Sequence, residues 1–386
     1  MHILLYNRDA FNQTDLTECL KKSGIIISTF TYIFQDKNID NLFSSFFTKE
    51  LKEHHYDAVF SINYYPVIAE CCYKTNIKYL SWSYDCPLDV RNIEATIGLP
   101  TNYVFLFDKI QAQKYLDLGF NNVYHLPLAV NTNRLDKIKP LSKHYQQYSS
   151  DISFVGSLYR SPYTQLLEPL PDYLKGYLDG ICESQLLLYG CFFLDDILND
   201  NLINTINNIY HSVYPQRDFN LIKEELSYTM STQITHIERI RILEFLSVIP
   251  NTQISLFSSD KLINDNIIQK GPVNYMTQMP YVFKTSKINL NITLKCLQSG
   301  IPLRALDIMG CNGFLLSNYQ PELAEYFSPN VDFIAYGSME EAIDLATYFL
   351  THEDERKKIA LSGYEKVKQK FSYKRQLTQL FEIAKL

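Results

Sequence analysis

Along the first third of the chain, short apolar runs bounded by turn residues alternate with stretches of helical spacing. The runs are Ile3–Tyr6, Asp57–Ile62, Lys78–Trp82, Tyr103–Phe107 and Asn122–His125. Near-continuous apolar runs suit strands buried on both faces, so the pattern predicts a parallel, doubly wound sheet. Each run ends in a polar or Pro-containing turn, and the carboxyl-end turns of open α/β sheets are where ligands bind. Asn7-Arg8-Asp9, Asn63-Tyr64-Tyr65, Asp85-Cys86-Pro87 and His125 are therefore expected along one edge, read as the acceptor side of a cleft.

The polar stretch 136–150 has few apolar anchors and precedes a fresh strand at Asp151–Val155, which makes it the expected interdomain linker. Residues 161–250 lack strand alternation and carry helical spacing, as in Tyr173–Leu178 and Ile237–Leu246, so a helical insertion is expected there. Strand patterns resume at Gln253–Phe257, Ile288–Asn291, Phe314–Ser317 and Phe333–Tyr336. Ser338-Met-Glu-Glu341 reads as a capping box, and Thr351-x-x-Asp354 as a second helix start. The expected division is a first α/β domain over 1–150, a second over 151–370 with its insertion, and a terminal helix over 371–386.

One stretch carries candidate chemistry. Residues 286–318 read as strand, loop, helix N-terminus, short helix and strand, with Pro302 and Arg304 at the helix start. Pro suits a first turn, where a missing N–H costs nothing, and the free N–H groups that follow face whatever lies before the helix. A diphosphate would fit there. Asp307, three residues after Arg304, shares its face of the helix and could accept from a ribose diol while Arg304 holds phosphate. The same two residues would serve equally as a surface ion pair worth a few tenths of a kcal/mol. Gly156-Ser157 and Arg160 follow the second domain's first strand, where a Gly permits close approach to a phosphate and the Arg supplies charge. An ordinary strand-end turn explains them as well. Asn289 and Asn291 alternate on an otherwise apolar strand and so face one side of it, toward a ligand or a backbone partner.

The runs Lys287–Thr293, Gly300–Asn318, Pro321–Phe327, Tyr336–Ala342 and His352–Ala360, with Ile152–Ser157, resemble the C-terminal domain of the CgeB-type spore-maturation glycosyltransferases, within the broad group 1 GT-B enzymes. The N-terminal third, with Ser81–Pro87 and His125–Ala129, is similar to an uncharacterised domain found ahead of it in clostridial-type proteins. The resemblance implies a GT-B fold, two doubly wound Rossmann-like domains facing a cleft. It also implies transfer of a sugar from a nucleotide diphosphate sugar to a glycan, protein or cell-surface precursor. The final helix would cross back to the first domain. Gly271-Pro-Val-Asn-Tyr275 resembles the segment that lies against the nucleotide base, and Gly313 falls within the donor-domain motif. Asp307 stands where the wider group has its ribose-binding Glu. No carboxylate stands in place of the Glu that meets the donor sugar, so sugar identity and stereochemistry stay open.

Composition narrows the field further. The 386 residues suit two α/β domains, and a formal net charge of -6 argues against a nucleic-acid partner. The 29 Tyr and 23 Phe mostly fill cores, although some would suit sugar stacking. No apolar run approaches the roughly 18 residues of a membrane span and no leader pattern opens the chain, so a cytoplasmic protein is expected, with peripheral membrane association left open. The eight cysteines and eight histidines show no metal-ligand spacing. Asp-x-Asp, phosphate-loop and dinucleotide fingerprints do not occur, so no cofactor and no metal are expected, and cations with helix dipoles would meet the leaving-group charge. An inverting reaction would need a base, for which Asp85, Asp9 and His125 are the strand-end candidates; a retaining one would not. A nucleotide-sugar epimerase or hydrolase of the same fold, or a non-catalytic binding partner, would share these features.

Overall fold

The computed structural model describes residues 1–8, 10–88 and 90–386. The chain divides into two compact units: Met1–Leu135, Ser299–Leu306 and Lys366–Leu386 form the first, Asp136–Gln298 and Asp307–Glu365 the second.

The first unit holds β1 (His2–Asn7), β2 (Ile26–Thr31), β3 (Ala58–Ile62), β4 (Lys78–Trp82), β5 (Asn102–Leu106) and β6 (Val123–His125). They lie in the order β2-β1-β3-β4-β5-β6, and every pairing is parallel. β3 is buried along its whole length, including Ser61, whose hydroxyl is satisfied by the Asn63 carbonyl and the Tyr79 hydroxyl. Beside the sheet lies an aromatic cluster, in which Tyr6 meets Phe43 and Tyr65 edge-on and Phe43 stacks on Phe47 at 4.9 Å. These rings account for part of the aromatic excess. The helix Tyr373–Ala384 belongs to this unit: Tyr373 packs edge-on to Trp82 at 6.1 Å, and Lys78 Nζ donates to the Ala384 carbonyl at 2.7 Å.

The second unit holds β7 (Ile152–Val155), β8 (Ile254–Phe257), β9 (Ile267–Gln269), β10 (Ile288–Asn291), β11 (Leu315–Asn318) and β12 (Ile334–Tyr336). The order is β12-β11-β10-β7-β8-β9, again all parallel. Between β7 and β8 the chain runs through five helices, from Tyr163–Leu167 to the 24-residue Lys223–Leu246. Leu174, Leu178, Ile203, Ile206, Met230 and Ile234 bury a separate core among them. The polar stretch 136–150 carries the helix Ser142–Tyr148, whose His144 and Tyr148 stack on Tyr281.

Two local expectations resolve differently. Ser338 caps the helix Met339–Thr351 through the Glu341 amide, whereas Glu341 accepts from Gly337 rather than from the cap itself. Thr351 ends that helix instead of opening the next: its hydroxyl donates to the Tyr348 carbonyl at 2.9 Å, and the following helix begins at Glu353. A threonine in a last turn satisfies one of the orphan carbonyls there.

Candidate functional site

Both sheets reverse their winding direction once, between β1 and β3 in the first unit and between β7 and β10 in the second. The crevice beyond the strand ends at such a switch point is where open α/β sheets bind ligands.

In the second unit, β7 ends at Val155 and the chain turns at Gly156 into a loop fastened by Asp260. Its carboxylate accepts from the Leu158 amide at 2.6 Å and the Ser157 hydroxyl at 3.0 Å. The amide first, then the hydroxyl and the Arg160 charge, hold the Asp260 carboxyl below its usual range. Arg160 itself is 71% exposed, with Nε 3.9 Å from Asp260, so the ion pair contributes little by itself. Tyr159 sits in the left-handed region at φ 53°. Behind the loop stands Arg239, 8% exposed on the helix Lys223–Leu246. Its guanidinium donates to the Ser157 carbonyl at 2.5 Å and to the Ile292 carbonyl, and packs over the Tyr159 ring at 4.6 Å. One side chain thus ties the end of β7 to the end of β10. Glu238, fully buried next to it, pairs with Lys295 at 3.3 Å.

Gly271 takes φ 72°, a left-handed conformation that glycine adopts at no steric cost. Asn274 shapes the turn that follows, its side-chain oxygen accepting from the amides of Met276 and Thr277 at 3.0 Å. That turn aims Tyr275 at Asp307, and the phenol donates to the carboxylate at 2.8 Å across 32 residues of sequence. Asp307 is 2% exposed on the helix Leu303–Gly310, where Arg304, one turn earlier, is half-buried. The approach to this helix is set by a residue outside the expected constellation. Asp108, fully buried, accepts from the amides of Ser299 and Gly300 at 2.9 and 3.0 Å while capping the helix Lys109–Asp117 through Gln111.

Three expected binding residues prove to be built into the protein. Asn289 is fully buried, with its oxygen accepting from Ser153 Oγ at 2.8 Å and its amide donating to the carbonyls of Phe283 and Phe314. Asn291 donates to Ser317 Oγ at 2.9 Å and Thr293 Oγ1 at 3.1 Å. Both therefore cross-link neighbouring strands and loops, which satisfies their burial. Gly313 leaves no room for a side chain: a Cβ would lie 2.8 Å from the Phe283 carbonyl and 2.9 Å from the Asn289 amide. Its role is close packing behind β10 and β11.

In the first unit, Tyr6, Arg8, Ala10, Gln13, Ile62, Asn63 and Tyr65 line a cavity of about 210 Å³ at the β1/β3 switch point. Asn63, at φ 65°, organises the neighbouring turn: its oxygen accepts from the Tyr84 amide at 2.7 Å and its nitrogen donates to Asp85 Oδ2 at 2.6 Å. Asp85 thus reaches the rim of the crevice, whereas His125 lies half-buried at the end of the edge strand β6, two strands from β4. Tyr64 turns away, its hydroxyl donating to Thr96 in the core. Asp9 lies outside the described residues.

Asp260, Arg239 and Asp108 escape a reading of the sequence because a buried charge and a solvated one look alike on a helix or in a turn. The available signal for Arg239 was its place inside the apolar stripe Ile237–Leu246, and for Asp260 its place just after a strand.

Comparisons with known proteins agree with this architecture. Residues 239–382 match a family described as "Glycosyl transferase-like". No curated protein sequence matches the chain. Among solved structures, Anabaena HepE in complex with UDP-glucose superposes with a TM-score of 0.57 at 9% identity, covering 100% of both chains. Sucrose-phosphate synthase from Thermosynechococcus elongatus gives 0.55 at 10% identity over 100% of this chain and 98% of the other. A glycosyltransferase from Rickettsia africae gives 0.54 at 11% identity, with the same coverages. The fold is therefore the two-unit α/β fold of the GT-B glycosyltransferases.

Proposed function

We propose that this chain is a metal-independent glycosyltransferase of the CgeB type, moving a sugar from a nucleotide diphosphate sugar to a hydroxyl of a glycan, protein or cell-surface precursor in the cytoplasm. The observation that carries the reading is the Tyr275–Asp307 hydrogen bond of 2.8 Å, which joins two elements inside the stretch that matches the glycosyltransferase family. A carboxylate fixed in this way is pre-oriented to accept from ribose hydroxyls, and the resemblance of the Gly271–Tyr275 segment to the base-contacting one supports the same reading. The UDP-glucose complex of Anabaena HepE supports a uridine nucleotide as the first donor to try.

Transfer breaks the bond between the anomeric carbon and the diphosphate oxygen, and the departing diphosphate keeps the electron pair. On this reading Arg304 and the amino end of its helix meet the charge on that leaving group. The new bond forms to the acceptor oxygen, whose proton must leave. Asp85 is the described strand-end carboxylate suited to receive it in an inverting reaction, with His125 and Asp9 the other candidates.

A thermal-shift screen against UDP-, GDP-, CMP- and dTDP-linked sugars identifies the donor, since a ligand at a hundred times its Kd stabilises the native form by about 2.7 kcal/mol. With that donor, Arg304→Ala is expected to weaken binding by roughly 1.5–3 kcal/mol in calorimetry, tenfold or more, with the fold retained. Unchanged affinity contradicts the assignment. Donor turnover without an acceptor would redirect it to an epimerase or hydrolase.

A further inference from the structure

The cavity at the first unit's switch point presents hydrogen-bond donors and aromatic rings. Arg8 reaches across it, with its guanidinium carbon 5.9 Å from the centre of the Tyr65 ring. The nearby Tyr65 hydroxyl is the first cause of the raised Arg8 pKa, and the Asp85 carboxylate the last and weakest. Gln13 Nε2 is buried with no hydrogen-bond partner, a position that costs free energy until an acceptor arrives. The other polar side chains of the lining are already committed within the protein. Tyr6 donates to the Tyr32 carbonyl at 2.7 Å, and Asn63 spends both ends of its amide on Tyr84 and Asp85. Among the described residues, what remains for a ligand is a guanidinium and an amide N–H, so the complementary group is acceptor-rich and negatively charged. A space of about 210 Å³ is many times what a single water needs and admits such a group together with the carbons that carry it.

We propose that this cavity is the acceptor subsite and that it holds an oxyanion of the acceptor, a phosphate or a carboxylate, between Arg8 and Gln13 over the Tyr6 and Tyr65 rings. Asp85, on the rim, then stands near the acceptor's hydroxyls rather than its anion. The proposal rests on the glycosyltransferase reading above for the word acceptor, and on the cavity alone for the charge.

The test is calorimetric titration of the full chain, saturated with UDP, with a matched three-carbon series: glycerol 3-phosphate, glycerate and glycerol. At least one anion is expected to bind tenfold or more tightly than glycerol. Arg8→Gln is expected to abolish that preference, and Gln13→Leu to reduce it about threefold, while UDP affinity stays the same in both variants. A preference for glycerol 3-phosphate alone assigns a phosphorylated acceptor, and one for glycerate alone an acidic-sugar type. Equal binding of all three probes, no binding of either anion, or an undiminished preference in Arg8→Gln overturns the proposal. If UDP binds no form of the protein, the donor reading fails separately, and the anion preference is scored in its absence.

Discussion

Each sheet reverses its winding once, after one strand in the first unit and after two in the second, and the two switch points are finished in opposite ways. In the first unit the gap beyond β1 and β3 is left as a cavity whose Gln13 amide has no partner. In the second the corresponding gap is bridged by Arg239, which ties the Ser157 and Ile292 carbonyls together beneath the Tyr159 ring. An open crevice adapts to a ligand at the cost of carrying unsatisfied donors. A bridged one is rigid before a ligand arrives, and under the proposed function the ligand contacts fall to the 156–160 loop and the Tyr275–Asp307 pair. That division suits a variable partner on one side and an invariant nucleotide on the other.

The bridge is the easiest part to break. Arg239→Met should destabilise the protein by about 3 kcal/mol, because it strands two carbonyls that each lose a charge-assisted hydrogen bond of at least 1.5 kcal/mol. Urea unfolding measures it, and a loss below about 1 kcal/mol would mean that the bridge does not hold β7 to β10. Gly313→Ala should cost about 2 kcal/mol, since the added methyl meets a backbone oxygen that cannot step aside. Its UDP affinity should match the wild type, which separates packing from binding at that position. The smallest effect is expected from Asp260→Asn, about 1 kcal/mol, as the loop keeps a neutral acceptor. The sign of the pH dependence follows from the lowered pKa of Asp260. Its contribution is complete above the unfolded carboxyl value, about 3.9, and disappears as pH falls through the still lower folded value, a dependence that Asp260→Asn should lack.

Much of this comparison was open to a reader of the sequence, and some was not. Ten of the strands announce themselves as apolar runs, most of them buried on both faces. The remaining two, β2 and β9, lie at sheet edges. β2 is exposed or half-buried throughout, so Ile26-Ile-Ser-Thr-Phe-Thr31 shows no apolar run, and β9 is only three residues long. Arg304 and Asp307 could be placed on one helix from their spacing, but the partner of Asp307 depends on a turn thirty-two residues earlier that spacing cannot aim. Asn289 and Gly313 looked chemical because a polar residue in a strand and a glycine before one are ambiguous. The structure shows them packed against each other, with the Asn289 amide 2.9 Å from where a Gly313 side chain would begin. Arg239 lies in the helical stretch Ile237–Leu246, whose spacing marks a helix but not which of Glu238, Arg239 and Arg241 is buried; the first two are.

The central claim is that the second unit holds a nucleotide through the carboxylate that Tyr275 positions. It is tested most directly by titrating UDP into the wild type, Tyr275→Phe and Asp307→Asn by calorimetry. The account predicts saturable binding to the wild type, a several-fold weakening in Tyr275→Phe and at least a tenfold weakening in Asp307→Asn, with all three proteins folded. Equal affinity in Asp307→Asn and wild type would contradict it.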